Sequence, residues 1–296
     1  MDQRLNPSLR NQQTIKTPFE VCGRSYWSGL DVRMRLQPAP ANSGIVFQRV
    51  DLPGQTMIPA TVNQRVEVPR RTVLVAGTDS VDMVEHVLAA LSGMQIDNCL
   101  IQLDRGEVPA FDGSCLELIH LLQSVGTVKQ KAQRDQLVIQ SEFQVGNEGS
   151  WIRAMPNPLG QLEIRYSLEY PHPSIGAQQL NYVHSPTAFA RELASARTFL
   201  LQQEAEILRQ MGVGLKVTNR EVLVFGEDGP IGNRLRFPDE CVRHKTLDVL
   251  GDLMLAPFDV VGTIVAYRSG HHLNAEMAQQ LTKLFHSQTN YRRQAA

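Results

Sequence analysis

The sequence lacks the features that mark several classes of protein. No run of about 18 apolar residues occurs, so no transmembrane helix is predicted. The first residues, 1–18, are polar and contain no apolar core, which does not fit a secretory signal peptide. There is no low-complexity tract and no short-period repeat. A formal net charge of -1 gives no sign of a nucleic-acid partner.

Paired cysteines are also missing. The four cysteines are scattered, and none forms a C-x-x-C motif. Each is therefore expected to pack as a small apolar residue, and a reducing cytoplasm is the expected location. With 296 residues, of which 42% are hydrophobic and 20% charged, the composition is that of a globular protein. This length indicates about two domains.

Hydrophobic periodicity divides the chain into two halves that each contain strands and helices. Strands are predicted at 32–36, 44–47, 64–68, 99–103, 137–144, 162–168, 222–225 and 260–267. Helices are predicted at 78–91, 116–124, 200–211, 243–254 and 275–285. Residues 1 to about 15 are expected to form a loose tail, and the polar run at 127–135 is expected to be a break. Without regular strand–helix alternation, we predict two α+β domains, 1–130 and 131–296.

The segment at 237–255 carries the clearest chemical pattern. His244, Asp248 and Asp252 are spaced at i, i+4 and i+8, so a helix places them on one face. Apolar residues surround them, and aspartate is seldom buried without a partner. A metal ion would supply that partner. A solvated face with a His–Asp pair remains the alternative.

Two further segments offer titratable groups. Glu85 and His86 are adjacent on a predicted helix and point about 100° apart, so one can ligate a metal while the other reaches a bound water. His271 follows the predicted strand at 260–267 and is expected in a loop at its end, where catalytic side chains are frequent. Either feature also occurs by chance, and His272 is expected to be solvated.

Other motifs have simpler interpretations. The segment EVPAFDGS at 107–114 fits a turn and a helix cap, and we predict an architectural role. The apolar helix at 199–211 fits core packing or the wall of a lipid-sized groove. The remaining histidines are expected to be structural or exposed; they are His120, His172, His184 and His286.

Together, five segments resemble the UDP-3-O-acyl-N-acetylglucosamine deacetylases, the zinc enzymes of lipid A synthesis. They are VEHVLAALSGMQIDN (84–98), EVPAFDGS (107–114), SARTFLLQQEAEILRQMG (195–212), RFPDECVRHKTLDVLGDL (236–253) and YRSGHHLN (267–274), in the family's order. PAPANSGIVFQRVDLP (38–53) also fits the family's N-terminal region. The likeness spans about 15–285. It implies two similar α+β domains packed as a β-α-α-β sandwich, with an insert around 199–232 that forms an acyl-chain passage.

The resemblance also implies a role for each matching site residue. The implied Zn²⁺ ligands are His86, His244 and Asp248, which would leave a position open for water. The implied catalytic groups are Glu85 as general base, His271 as electrostatic partner or general acid, Thr198 at the oxyanion, and Asp252 as the carboxylate that orients the second histidine. The implied substrate contacts are Lys245 and, beside the sugar, Phe199. The implied partner is a UDP-linked acylated amino sugar, and we expect a monomer.

The sequence departs from the family pattern at three positions. Trp27 stands where a histidine is usual, Met83 where a threonine precedes V-E-H, and Arg220 where a small residue is usual. A diverged zinc deacetylase of another N-acetyl sugar and a non-catalytic nucleotide-sugar binder therefore remain alternatives. Fe²⁺ remains an alternative metal, since two histidines and one carboxylate also suit it. A glycosidase using Asp248 and Asp252 fits less well, because it leaves the histidines unexplained.

Overall fold

The computed structural model describes the backbone of residues 9–294 and the side chains of residues 9–289. In the first half of the chain the elements are β1 (Asn11–Ile15), β2 (Phe19–Arg24), β3 (Asp31–Pro38), β4 (Ile45–Arg49), β5 (Met57–Pro59), a 3₁₀ turn (Val62–Gln64), β6 (Arg65–Val66), β7 (Val73–Ala76), β8 (Asp79–Asp82), α1 (Glu85–Gly93), β9 (Cys99–Leu103), α2 (Leu116–Val125) and β10 (Thr127–Gln133).

The second half repeats this mixture of strands and helices. Its elements are β11 (Gln136–Val138), β12 (Phe143–Asn147), β13 (Ser150–Met155), β14 (Leu162–Glu169), β15 (Ala177–Val183), α3 (Pro186–Ala188) with a π-helical turn (Phe189–Leu193), β16 (Phe199–Leu201), α4 (Gln202–Gln210), β17 (Leu223–Gly226), β18 (Gly229–Pro230), α5 (Glu240–Leu253), β19 (Asp259–Tyr267) and α6 (His271–Gln294).

The two principal sheets share one topology. The first has the strand order β2-β3-β9-β4-β5 and the second β12-β13-β19-β14-β15, with β11 added beside β19. In each five-strand order, the central strand pairs parallel with one neighbour and antiparallel with the other, and the remaining pairs of that order are antiparallel. The added strand β11 pairs parallel with β19. Small sheets β6-β7-β8 and β16-β17-β18 extend this framework, and β1 pairs with β10.

Helices α1 and α5 form the contact on which the site is built. α5 packs against α1, against α6 and against strands β14 and β15. The approach is close at Gly251, where a Cβ atom would overlap the backbone carbonyl of Glu85. A side chain at this position would push the two helices apart, so glycine permits the spacing that the site requires.

This architecture confirms the predicted α+β sandwich. Strand β9 has the predicted bounds, and α2 differs from its prediction by one residue. The division at 130 stays a prediction. Within the described residues, no helix combines the length and hydropathy needed to span a lipid bilayer.

Long-range pairing explains two wrong predictions near the chain's start and middle. Residues 11–15, expected in a loose tail, form β1, while residues 1–8 of that tail lie outside the described residues. The expected break at 127–135 is mostly strand β10, whose partner is β1. Neither strand has a periodic apolar pattern, and the sequence separation of the partners hides the pairing.

Turn geometry explains the other corrections. The helix predicted from 78 begins only at Glu85, because 79–82 is β8, joined to β7 by a turn in which Gly77 has φ of +61°. The helix predicted from 200 begins at Gln202, after β16. The strand predicted at 137–144 is two short strands, and the one at 64–68 is only Arg65–Val66. His271 is not in a loop but is the first residue of α6.

Candidate metal centre

Helix α5 presents its polar side chains at the middle of the fold. His244, Asp248 and Asp252 are 2%, 2% and 0% exposed, although each is polar or charged. The predicted one-face arrangement on a helix is therefore present, and the solvated-face alternative is wrong. Burial of these groups is tolerated only where partners compensate the lost hydration.

His86, His244 and Asp248 come together as a group that can hold a metal ion. Their candidate ligand atoms all lie within 4.8 Å of one another. Nε2 of His244 is 3.4 Å and Nε2 of His86 is 3.7 Å from Oδ1 of Asp248. That Oδ1 atom is buried and has no hydrogen-bond partner among the described residues. An unpartnered buried carboxylate oxygen facing two imidazole nitrogens fits a cation at this position.

A second hydrogen bond fixes the orientation of each ligand on α5. Nδ1 of His244 lies 3.1 Å from the carbonyl oxygen of Ala196, so it donates its proton there and leaves the Nε2 lone pair free. Burial lowers the pKa of His244 to about 3, which keeps the ring neutral. Nζ of Lys245 donates to Oδ2 of Asp248 over 2.7 Å. Burial alone would raise the pKa of Asp248, but the neighbouring Lys245 and His244 hold it well below its usual value.

Glu85 lies beside this group at the first position of α1. Its side chain is 1% exposed, and its Oε2 accepts a 3.0 Å hydrogen bond from the backbone N–H of Thr72. Burial raises the pKa of Glu85, while the histidines His271 and His86 oppose the rise. A carboxylate with a raised pKa beside a metal position is suited to accept a proton from water.

His271 faces Glu85 from α6. Its Nε2 is 3.8 Å from Oε1 of Glu85, and its Nδ1 is 2.8 Å from Oδ2 of Asp252. Burial alone would lower the pKa of His271, but the negative charges of Asp252 and Glu85 raise it to about 9. Asp252 therefore contacts His271 and not the ligand histidines, and Asn274 donates to the same Oδ2 over 2.9 Å.

The three remaining residues implied by the resemblance lie along one cavity. We call it the central cavity; it has about 330 Å³, and its walls include Glu85, His86, Thr198, Phe199, His244, Lys245, Asp248 and His271. The backbone N–H of Thr198 donates to the carbonyl of Gly113 over 2.8 Å, so the turn at 107–114 positions this threonine. The ring of Phe199 packs 6.4 Å from that of His244, centroid to centroid.

A second, apolar cavity of about 100 Å³ adjoins the central cavity and is lined largely by residues between 200 and 224. The residues common to both cavities are Arg70, Met83, Thr198 and Leu200. Trp27 forms part of the apolar wall, where its Nε1–H donates to Sδ of Met83 over 3.1 Å and its ring stacks under Arg71. Arg220, by contrast, is exposed and lines neither cavity.

The structure adds groups that the sequence did not single out. Thr72 and Asn274 bind the carboxylates of the site, and the carbonyl of Ala196 orients His244. Asn274 lies within YRSGHHLN, one of the segments that carry the family resemblance, so the sequence could have indicated it. Thr72 lies in the segment RRTVLV, which has no motif, and its role depends on contacts distant in sequence.

Comparisons with known proteins agree with this geometry. The family model for UDP-3-O-acyl N-acetylglycosamine deacetylase matches residues 12–283. A UDP-3-O-acyl-N-acetylglucosamine deacetylase of Myxococcus xanthus is 37% identical over 283 residues, covering 94% of this chain and 88% of the relative. Enzymes of the same name from Thermosynechococcus vestitus and Psychrobacter arcticus are 36% and 35% identical, covering 90% and 93% of this chain and 94% and 86% of the relatives.

Proposed function

The chain belongs to the UDP-3-O-acyl N-acetylglycosamine deacetylase family, and from that premise we propose that it hydrolyses the N-acetyl group of UDP-3-O-acyl-N-acetylglucosamine. The reaction releases acetate and leaves a free amine on the sugar, as a step of lipid A biosynthesis. The observation that carries the proposal is the unpartnered Oδ1 of Asp248 between two histidines, with Glu85 at the same cavity.

Zinc is the metal we propose for this position. Two neutral imidazoles and one carboxylate form a donor set that Zn²⁺ accepts with a fourth position open to water. When bound, zinc would polarise the amide carbonyl and lower the pKa of a water molecule at the open position to about 7. The same donor set accepts Fe²⁺, so a metal analysis of the purified protein decides between them.

Glu85 and His271 divide the proton transfers. Oε2 of Glu85 is occupied by the Thr72 amide, so Oε1, which faces His271, is the oxygen available to accept the proton of the attacking water. His271, held protonated by Asp252, stabilises the negative charge that develops on the amide oxygen and can deliver a proton to the leaving amine. Acetate and the free amine are then the products.

Substrate contacts follow from the walls of the two cavities. The hydroxyl of Thr198 is available for the developing oxyanion, since only its backbone is engaged by Gly113. Lys245 adds positive charge that suits the phosphates of a nucleotide sugar, and Phe199 offers an aromatic face to the sugar. The 3-O-acyl chain fits the adjoining apolar cavity, because its walls are chiefly hydrocarbon.

One observation favours a second candidate. Trp27 places a large ring in the wall of the apolar cavity, which changes the space available to an acyl chain. A zinc deacetylase acting on another N-acetyl sugar would have the same metal position and base with a different wall. A non-catalytic binder is disfavoured, because it would have no use for a buried Glu85 beside the metal ligands.

The direct test is acetate release from UDP-3-O-acyl-N-acetylglucosamine by zinc-loaded protein, with the metal content measured in the same preparation. Glu85→Gln removes the base but keeps the shape, so we expect kcat to fall by about 10²–10⁴-fold with zinc retained. Glu117→Gln, an exposed glutamate in the first turn of α2, is the matched control and should remain active.

Full activity of Glu85→Gln would refute the base assignment. An inert UDP-acyl sugar together with turnover of a different N-acetyl sugar would support the second candidate.

We further propose that the enzyme acts as a monomer in the cytoplasm. All groups of the central cavity come from one chain, so the site needs no second copy. The four cysteines are unpaired, as expected in a reducing compartment. We also retain the two-domain division at 130, supported by the shared strand order of the two sheets. Light scattering after size-exclusion chromatography tests the monomer.

A further inference from the structure

Thr72 is buried between the two carboxylates that flank His271. It is 0% exposed, and its three polar groups are all used. Its backbone N–H donates to Oε2 of Glu85 over 3.0 Å, and its Oγ1 donates to Oδ1 of Asp252 over 2.6 Å. Its carbonyl accepts the backbone N–H of Met83 over 3.0 Å, just before α1 begins.

These hydrogen bonds leave one oxygen atom of each carboxylate facing His271. Glu85 retains Oε1, which lies 3.8 Å from Nε2 of His271. Asp252 retains Oδ2, which receives Nδ1 of His271 and the side-chain amide of Asn274. Among the described residues the Thr72 hydroxyl is the one hydrogen-bond partner of Asp252 Oδ1. The two carboxylates are thus tied to one residue, although they lie in different halves of the chain.

We propose that Thr72 is a positioning residue that sets the distance and orientation between Glu85 and His271, acting on His271 through Asp252. The inference deepens the proposed deacetylase function and rests on it. The backbone amide of Thr72 fixes the base, and the side-chain hydroxyl fixes the carboxylate behind His271. The amide holds Glu85 of α1 and the hydroxyl holds Asp252 of α5, and both belong to one residue. A shift of α5 relative to α1, which would separate the base from His271, would therefore strain the hydrogen bonds of Thr72.

The hydroxyl contribution can be removed without removing the amide. Thr72→Val has nearly the same shape, keeps the N–H bond to Glu85 and leaves Oδ1 of Asp252 buried without a partner. Loss of a partner that orients a group at a metal site typically costs about 10–100-fold. We expect kcat to fall in that range, with KM and zinc content unchanged, and Thr72→Ser to restore most of the activity.

A double-mutant cycle tests the route through His271. If Thr72 acts through Asp252 on His271, Thr72→Val lowers kcat in the wild-type background but has little further effect in a His271→Ala background. Thr263→Val is the matched control, since Thr263 is also a buried threonine whose hydroxyl reaches a carboxylate, that of Glu163 at 3.3 Å. It lies outside the walls of both cavities and should keep full kcat.

Three results would overturn the proposal: wild-type kcat in Thr72→Val, no recovery in Thr72→Ser, or an equal loss in the His271→Ala background. A measurement that needs no substrate distinguishes failure of the Thr72 proposal from failure of the proposed deacetylase function. We expect the Nδ1–H···Asp252 hydrogen bond of His271 to give a downfield imidazole proton in NMR spectra. We expect that signal to weaken or move in Thr72→Val and to persist in Thr263→Val; an unchanged signal in Thr72→Val counts against the proposal.

Discussion

The central cavity and the apolar cavity share four residues of their walls, yet the side chains around them are held in different ways. At the central cavity the carboxylate of Glu85, and behind it that of Asp252, are hydrogen-bonded at specific oxygens, and both are buried. The apolar cavity is bounded by α4 and the loop after it, where Met211 and Leu215 remain 70% and 67% exposed.

The difference follows from what each cavity has to recognise. Proton transfer needs donor and acceptor atoms within hydrogen-bond reach, so small displacements are costly. A hydrocarbon chain is recognised by dispersion and burial, which are non-directional and tolerate altered walls. Of the three departures from the family pattern, Trp27 lies in the wall of the apolar cavity and Met83 in the wall that the two cavities share, whereas the proposed metal ligands and base match the family.

Removal of a metal ligand should give the largest effect and confine it to the central cavity. His244→Ala removes the Nε2 atom that faces Asp248, so we expect bound zinc to fall well below one per chain and activity to fall on the order of 10³-fold or more. Elemental analysis and acetate release measure the two effects. His120→Ala, an exposed histidine of α2, is the control. Full metal occupancy in His244→Ala would remove it from the ligand set.

Removal of the charge behind His271 should give an intermediate effect. Asp252→Asn replaces one acceptor oxygen by an N–H₂ group. That group either faces the donors of His271 and Asn274 or takes the place of the oxygen that accepts the Thr72 hydroxyl. We expect kcat to fall about 10–100-fold with zinc retained. Without the negative charge the pKa of His271 falls, so the alkaline limb of the kcat profile should move to lower pH.

The control for this change is Asp239→Asn, because Asp239 pairs with Arg243 outside both cavities. An alkaline limb at the same pH in Asp252→Asn and the wild type would show that Asp252 does not set the charge of His271.

A change in the apolar wall should give the smallest effect and alter selectivity alone. Trp27→Ala enlarges the apolar cavity, so we expect the kcat/KM ratio between longer and shorter 3-O-acyl chains to rise about tenfold, with zinc content unchanged. Arg220→Ala should leave the ratio unchanged, since Arg220 lines neither cavity. A large fall in kcat for every chain length in Trp27→Ala would contradict the separation between the two cavities.

The parts of the fold that the sequence predicted well are those set by local pattern. The alternating residues of 99–103 and the helical spacing of 116–124 each give the observed element. The helix predicted at 78–91 starts too early because Thr78, Asp79 and Ser80 are residue types that favour both helix starts and hairpin turns. In the structure Thr78 forms the turn with Gly77, and Asp79 and Ser80 begin β8.

For the site, spacing alone joined His244 to Asp248 but could not attach Glu85 and His86 to them. The family resemblance made that link, and the structure brings all four to one cavity. Thr72 could not be found from either source. A single threonine in a strand-like segment has no distinguishing pattern, and its importance arises only when Thr72, the residue before β7, meets Asp252 of α5.

The strand order of the second sheet has a consequence for biosynthesis. Its central strand, β19, is the last of the described strands to leave the ribosome, and β14 and β13 cannot be joined before it arrives. His271 follows directly at the start of α6. A nascent chain that has already exposed both histidine ligands and Asp248 therefore still lacks the strand that closes the sheet beneath α5. We therefore expect catalytic competence only after β19 and His271 have been synthesised, and truncated translation products that end before β19 should be inert.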